Sequence, residues 1–197
     1  MINKKRYTGY LAGSILILLS ILIIFTFNSL VKKEERVKKQ WAEVQNAYQR
    51  RLDLIPNLVN TVKGNANFEQ NILQEITEAR AKANFVNVDV NNPTANSAEA
   101  QSQAQNELAG AANKLLITIE KYPELQGTKA FVALQTQLER TELRIKIARK
   151  DFNESIQTYN SSVRSFPTKL VAGLFGFKAK PGFTANAGTD KTTEIKF

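Results

Sequence analysis

Glu139 and Glu142 form an E-x-x-E step, the nearest approach to a reactive pair in this sequence of 197 residues. Residues at i and i+3 share one face of a helix, and two carboxylates there could exchange a proton or hold a metal ion. A second constellation is Arg50-Arg51-Leu52-Asp53-Leu54-Ile55-Pro56-Asn57-Leu58-Val59, where charges sit among apolar residues at helical spacing. If these segments pack as antiparallel helices, Arg51–Glu142 and Asp53–Arg144 are the expected interhelical ion pairs. Such a network fixes register more surely than it adds stability. Pro56 interrupts the same helix. It lacks an N–H and crowds the carbonyl of Leu52, so a kink is expected, with the freed carbonyl taken by a side chain or a water.

Two absences narrow the chemistry. The chain has no Cys and no His. That excludes disulfides, thiol nucleophiles, zinc ribbons, an imidazole base and the Glu-x-x-His metal sites of helical bundles. No P-loop, G-x-G-x-x-G or G-x-S-x-G run occurs. The expectation is no catalytic, metal or cofactor-binding residue, no cofactor and no enzymatic activity. A carboxylate enzyme or metal site at Glu139 and Glu142 is the alternative.

The net charge of +9 would suit a nucleic-acid binder if the basic residues clustered on a folded face. They do not. Lys4, Lys5, Arg6, Lys32, Lys33, Arg36, Lys38 and Lys39, with Glu34 and Glu35, supply +6 of it. These residues flank an uncharged stretch, Thr8 to Val31, of 24 residues. As a helix it would run roughly 36 Å, enough to cross a hydrocarbon core of ~30 Å. Twelve Leu, Ile or Phe residues lie between Leu11 and Phe27, and each favours insertion by about 0.3–0.6 kcal/mol. A cleaved signal peptide is the competing reading, but the apolar run exceeds an ordinary h-region and no small-x-small pair precedes Lys32. The basic residues downstream lean toward a cytoplasmic C-terminal domain, and Lys4, Lys5 and Arg6 argue the other way.

The elements that must position Arg51 and Glu142 follow from apolar spacing. Val37, Trp41, Val44, Tyr48, Leu52, Ile55, Val59 and Val62 predict a helix continuous with the apolar stretch. Further helices are predicted over 68–85, with Asn67 and Gln70 suited to its cap, and through Leu108, Ala112, Leu115, Ile119 and Tyr122. The longest run, Phe131 to Phe166, has the spacing of a bundle seam. Residues 84–98 read as a loop, and the Asn/Gln/Ala-rich stretch 95–113 as helix surface. The fold class expected is all-α: an N-terminal transmembrane helix continuing into an antiparallel up-down-up-down four-helix bundle with long helices. The corresponding division is a tail at 1–7, a transmembrane helix at 8–31, a bundle at 32–166 and an apolar juxtamembrane segment with a tail at 167–197. In that last segment Leu170, Val171, Leu174, Phe175 and Phe177, flanked by lysines, are candidate membrane-surface contacts. A turn plugging the bundle's open end is the other reading of the same residues.

These motifs resemble the bacterial LemA family. The resemblance rests on Val37-x3-Trp41, the Arg50–Gly64 run, Thr77-x-Ala79-Arg80, Tyr122-Pro123, Leu134-Gln135-x2-Leu138-Glu139-x-Thr141-Glu142, Ala148-Arg149, Tyr159-Asn160 and Arg164-Ser165-Phe166-Pro167. Two departures stand out: Asn67-Phe68-Glu69 where the family usually has a His before the Glu, and Phe152 where a Tyr is common before Asn153. The resemblance implies a membrane-anchored helical bundle, usually cytoplasmic, with no settled reaction, and some relatives associated with organising bacterial membranes. Expected partners are therefore the lipid bilayer and other membrane proteins, or the protein itself, and no nucleic acid. The expected role is a non-enzymatic scaffold or adaptor in the bacterial inner membrane.

Overall fold

A computed structural model of the chain describes residues 4–64, 68–86 and 95–183. It is all-α, with no strand among the described residues. The elements are α1 (Lys4–Lys63), α2 (Gln70–Phe85), α3 (Ala95–Ile119), α4 (Pro123–Gln126), α5 (Lys129–Arg164) and α6 (Thr168–Phe175). α1 is one helix through the apolar stretch, the basic run and Pro56. The chain divides into two compact units: residues 1–39 with 154–180, and residues 40–153 with 181–197.

In the first unit, α1 leaves its large apolar side chains bare: Leu11, Leu16, Leu18, Ile24 and Phe25 are all exposed. This is the helix long and apolar enough to cross a bilayer. An apolar collar of this size with no protein cover is what a lipid-facing surface looks like. Beyond the collar, Leu30 and Val37 of α1, Ile156, Tyr159 and Val163 of α5, and Val171 and Ala172 of α6 are buried. Lys33 Nζ donates to Ser162 Oγ at 2.5 Å, and Lys180 pairs with Glu34 at 3.0 Å.

In the second unit one core collects Leu52, Ile55, Leu58 and Val62 from α1, Ile72 and Ile76 from α2, Leu108, Leu115 and Ile119 from α3, and Phe131 and Leu138 from α5. The polar contacts give the chain directions. Lys82 meets Glu107 while Lys114 meets Glu75, so α2 and α3 run antiparallel. Trp41 stacks on Phe152 while Arg51 pairs with Glu142, so α1 and α5 run antiparallel as well. Each helix here turns one apolar stripe inward, which alone would leave it marginal in water.

Several boundaries differ from the sequence reading. α2 starts at Gln70, with Glu69 in the N-cap position and no side-chain cap bond; Asn67, the expected cap, lies outside the described residues. The expected loop at 84–98 is shorter, because α2 continues through Phe85 and α3 begins at Ala95. Residues 87–94 lie outside the described residues. The 95–113 stretch is also not mere helix surface. Gln101, Ser102, Ala104, Gln105, Leu108, Ala111 and Ala112 are buried, since small side chains let α3 approach its neighbours closely and the two Gln find partners there.

Core truncation should separate these faces. Leu108→Ala, at a fully buried site, is expected to cost about 2–5 kcal/mol. Leu143→Ala, which is 58% exposed, should change stability by less than about 0.5 kcal/mol. Denaturant titration of the detergent-solubilised protein, followed by circular dichroism, measures both.

Candidate functional site

Arg51 is the most deeply buried charge described, at 3% exposure. It sits on the inner face of α1 because the Tyr48–Leu52–Ile55 stripe sits there. Its Nη1 donates to the Gln105 carbonyl at 2.7 Å and to Gln105 Oε1 at 3.1 Å. Its Nη2 lies 2.5 Å from the Glu142 carboxylate. Charge-assisted bonds to α3 and α5 thus converge on one guanidinium. One helical layer away, the side-chain amides of Gln45 and Gln101 exchange donor and acceptor at 2.7 and 2.8 Å. Tyr48 is also buried at this level, and burial pushes its phenol above the ordinary value of 10, with Arg149 and Arg51 pulling the other way.

The expected Asp53–Arg144 pair does not form. Asp53 takes a hydrogen bond from Gln49 Nε2 on its own helix at 2.8 Å, and Arg144 lines a surface groove with Glu43, Arg50 and Asp151. The reason is rotational. Two residues turn a helix by ~200°, so if Arg51 and Glu142 face each other, Asp53 and Arg144 must point away from that seam. Glu139 is likewise apart from Glu142's partner and accepts from Gln135 Nε2 at 3.2 Å. The two carboxylates are held by different groups.

Around Pro56 the accounting closes. Arg80 of α2 donates Nε to the Leu52 carbonyl at 2.9 Å, the acceptor that a proline four residues later leaves free. α2 is thereby tied to α1 at the one break in its backbone ladder.

A second device was not foreseen. Asn153 accepts the Phe183 N–H at 2.8 Å and donates to the Phe183 carbonyl at 3.0 Å. The Phe183 ring then packs 5.6 Å from Trp41 and 5.4 Å from Phe152, with the Arg149 guanidinium 4.6 Å over its face. In the first unit Asn160 grips Lys180 the same way, both bonds at 2.8 Å. Two Asn seven residues apart on one helix were the available signal, and nothing in the spacing reveals what they hold. Tyr159, fully buried beside them, has its phenol pushed up to about 12, chiefly by burial and further by Glu34.

Of the candidate membrane-surface residues, Leu170 and Leu174 are exposed, at 67% and 74%. Val171 is buried and is withdrawn from that set: α6 turns it inward, one position round from Leu170. Phe175 and Phe177 pack against Phe27 of α1, tilted and edge-on, with ring centroids 4.8 and 5.7 Å away.

These features define a membrane-associated all-α protein in which an exposed apolar helix leads into helices gathered about a buried arginine. The chain belongs to the LemA family, whose sequence profile matches residues 40–197. It is 27% identical to "Protein LemA" of Metamycoplasma hominis over 145 residues, which is 74% of this chain and 63% of that relative. The chain thus spans less than two thirds of that relative's length. It is 23% identical to magnetosome protein MamQ 2 of Paramagnetospirillum magneticum, covering 85% of this chain and 68% of the relative. For magnetosome protein MamQ of Magnetospirillum gryphiswaldense the identity is 25%, with 85% and 69% covered.

Arg51→Ala should lower stability by about 2–4 kcal/mol, since it leaves the buried Gln105 without its donor and empties the space the arginine side chain fills. Glu142→Gln should cost about 1 kcal/mol, and Glu139→Gln, at an exposed position, less than about 0.5 kcal/mol. Urea melts of the three variants test the ordering.

The phenols set an alkaline limit. Both are raised, so the folded state holds their protons more tightly than the unfolded chain, and the stability they contribute is complete below pH 10. It should drain away from there toward about 12, the value for Tyr159. Denaturation midpoints taken at intervals between neutral pH and pH 11.5 should fall steeply only above pH ~10, and the fall should shrink in Tyr159→Phe.

Proposed function

We propose that this chain is a single-pass, membrane-anchored scaffold or adaptor without enzymatic activity. Its helical second unit stands on the cytoplasmic side, where it gathers other membrane proteins or further copies of itself. The observation that carries this reading is the continuity of α1. A single helix joins the bare apolar collar to the core residues Leu52–Val62 with no linker between them. An anchor fused in this way suits a protein whose output is position. Sidedness is supported by Lys32, Lys33, Arg36, Lys38 and Lys39 directly after the uncharged stretch. Relatives named as magnetosome proteins support a part in building a cellular structure. Against the carboxylate alternative, Glu142 pairs with Arg51 and Glu139 accepts from Gln135, so each carboxylate already has a different partner.

The groove lined by Gln40, Glu43, Asn46, Arg50, Arg144 and Asp151 is the surface on which to test recruitment. A photo-crosslinking residue at Asn46 in the full chain, in living cells, is expected to give one discrete adduct, which Arg50→Glu with Arg144→Glu abolishes. Protease added to intact spheroplasts should leave the second unit whole, and lysis should expose it. No discrete adduct at Asn46, or digestion from outside, would overturn the corresponding half of the proposal.

A further inference from the structure

α6 is eight residues long, ends on Gly176 in the left-handed conformation (φ 77°), and divides its side chains sharply. Val171 and Ala172 are buried, while Leu170 and Leu174, one helical turn apart, are bare, as is Phe166 at 81% exposure. Such a stripe in water would be a cost with no return, so its surroundings decide what it is for. They lie within the first unit. Phe175 and Phe177 pack against Phe27, tilted and edge-on, and Phe27 belongs to the uncharged stretch, five residues before Lys32. Five helical residues are ~7.5 Å, which puts Phe27 on the lipid side of the first basic residue and carries α6 to that depth with it. Thr168 at the start of α6 shares a surface pocket with Thr26, Ser29 and Lys33 of α1, so the helix enters at the level where the charges begin. Its return path is tied as well, by Lys180 to Glu34 at 3.0 Å. Lys32, Arg36 and Arg164 of the same unit, with Lys169 on α6 and Lys178 just after it, are all exposed.

We propose that α6 is a second membrane contact: an in-plane helix seated in the leaflet interface beside α1, with Phe166, Leu170 and Leu174 among the acyl chains and Lys169 and Lys178 on anionic phospholipid headgroups. Short amphipathic helices with an apolar face and a basic rim bind such interfaces by both terms together. The proposal rests on the reading that α1 crosses the bilayer. It adds a lipid preference, and it fixes which way the first unit faces the membrane.

The absence of native Cys makes single-site labelling of the full chain direct. Nitroxides at Phe25→Cys, Leu174→Cys and Gln157→Cys are reconstituted in phosphatidylcholine vesicles with and without phosphatidylglycerol, and collisions with oxygen and with a water-soluble nickel chelate are compared. In the anionic vesicles Leu174 should favour oxygen several-fold over Gln157 and approach Phe25. Its depth should decrease without phosphatidylglycerol, and also in the Lys169→Glu, Lys178→Glu background. Leu174 reporting water while Phe25 reports lipid would overturn the α6 contact and leave the anchor standing. Phe25 reporting water would overturn the anchor, and this inference with it. A Leu174 depth indifferent to phosphatidylglycerol would overturn the headgroup assignment.

Discussion

α1 is one helix of sixty residues whose surroundings change along its length, from large apolar side chains left bare to side chains covered by other helices. A helix pairs its backbone groups internally, so it can pass from hydrocarbon to water without stranding an N–H or a carbonyl. What changes along it is the side-chain pattern: the large apolar residues from Leu11 to Phe25 are mostly bare, while Leu30, Val37 and the inward stripe beyond them are buried. Pro56, the proline within α1, cannot supply its share of the internal pairing. There another helix supplies the missing donor through Arg80.

The polar interior of the second unit serves the same end. A buried guanidinium is costly unless its bonds are made, and Arg51 makes them through both terminal nitrogens to two other helices at once, its buried Nε being left without a partner. A slip of one residue in α1 would rotate Arg51 by ~100° out of that seam. The amide exchange between Gln45 and Gln101 imposes the same condition one layer away. These contacts select one register among the many that a purely apolar stripe would accept.

Much of this was legible from residue types. The length of the uncharged apolar stretch, the helical period and the Arg51–Glu142 pairing all follow from spacing along one or two helices, which is local geometry. The Asp53–Arg144 expectation failed for a reason equally geometric: counting levels along two axes ignores rotation about them. The reading of 95–113 as helix surface failed differently. Gln101 and Gln105 look like surface residues until a partner amide or an arginine is brought beside them, and no pattern within α3 announces either.

The sequence by itself determined that this chain is helical, that its first helix suits lipid, and that imidazole and thiol chemistry are closed to it. Those properties depend on composition and on period, which neighbours in the chain settle between themselves. Only the tertiary structure decided what Asn153 and Asn160 hold, which acceptor Arg80 satisfies, and which residues of α6 stay bare. Each of these is a contact between segments far apart in the chain, and a hydrogen bond or a buried face exists only when both sides are present.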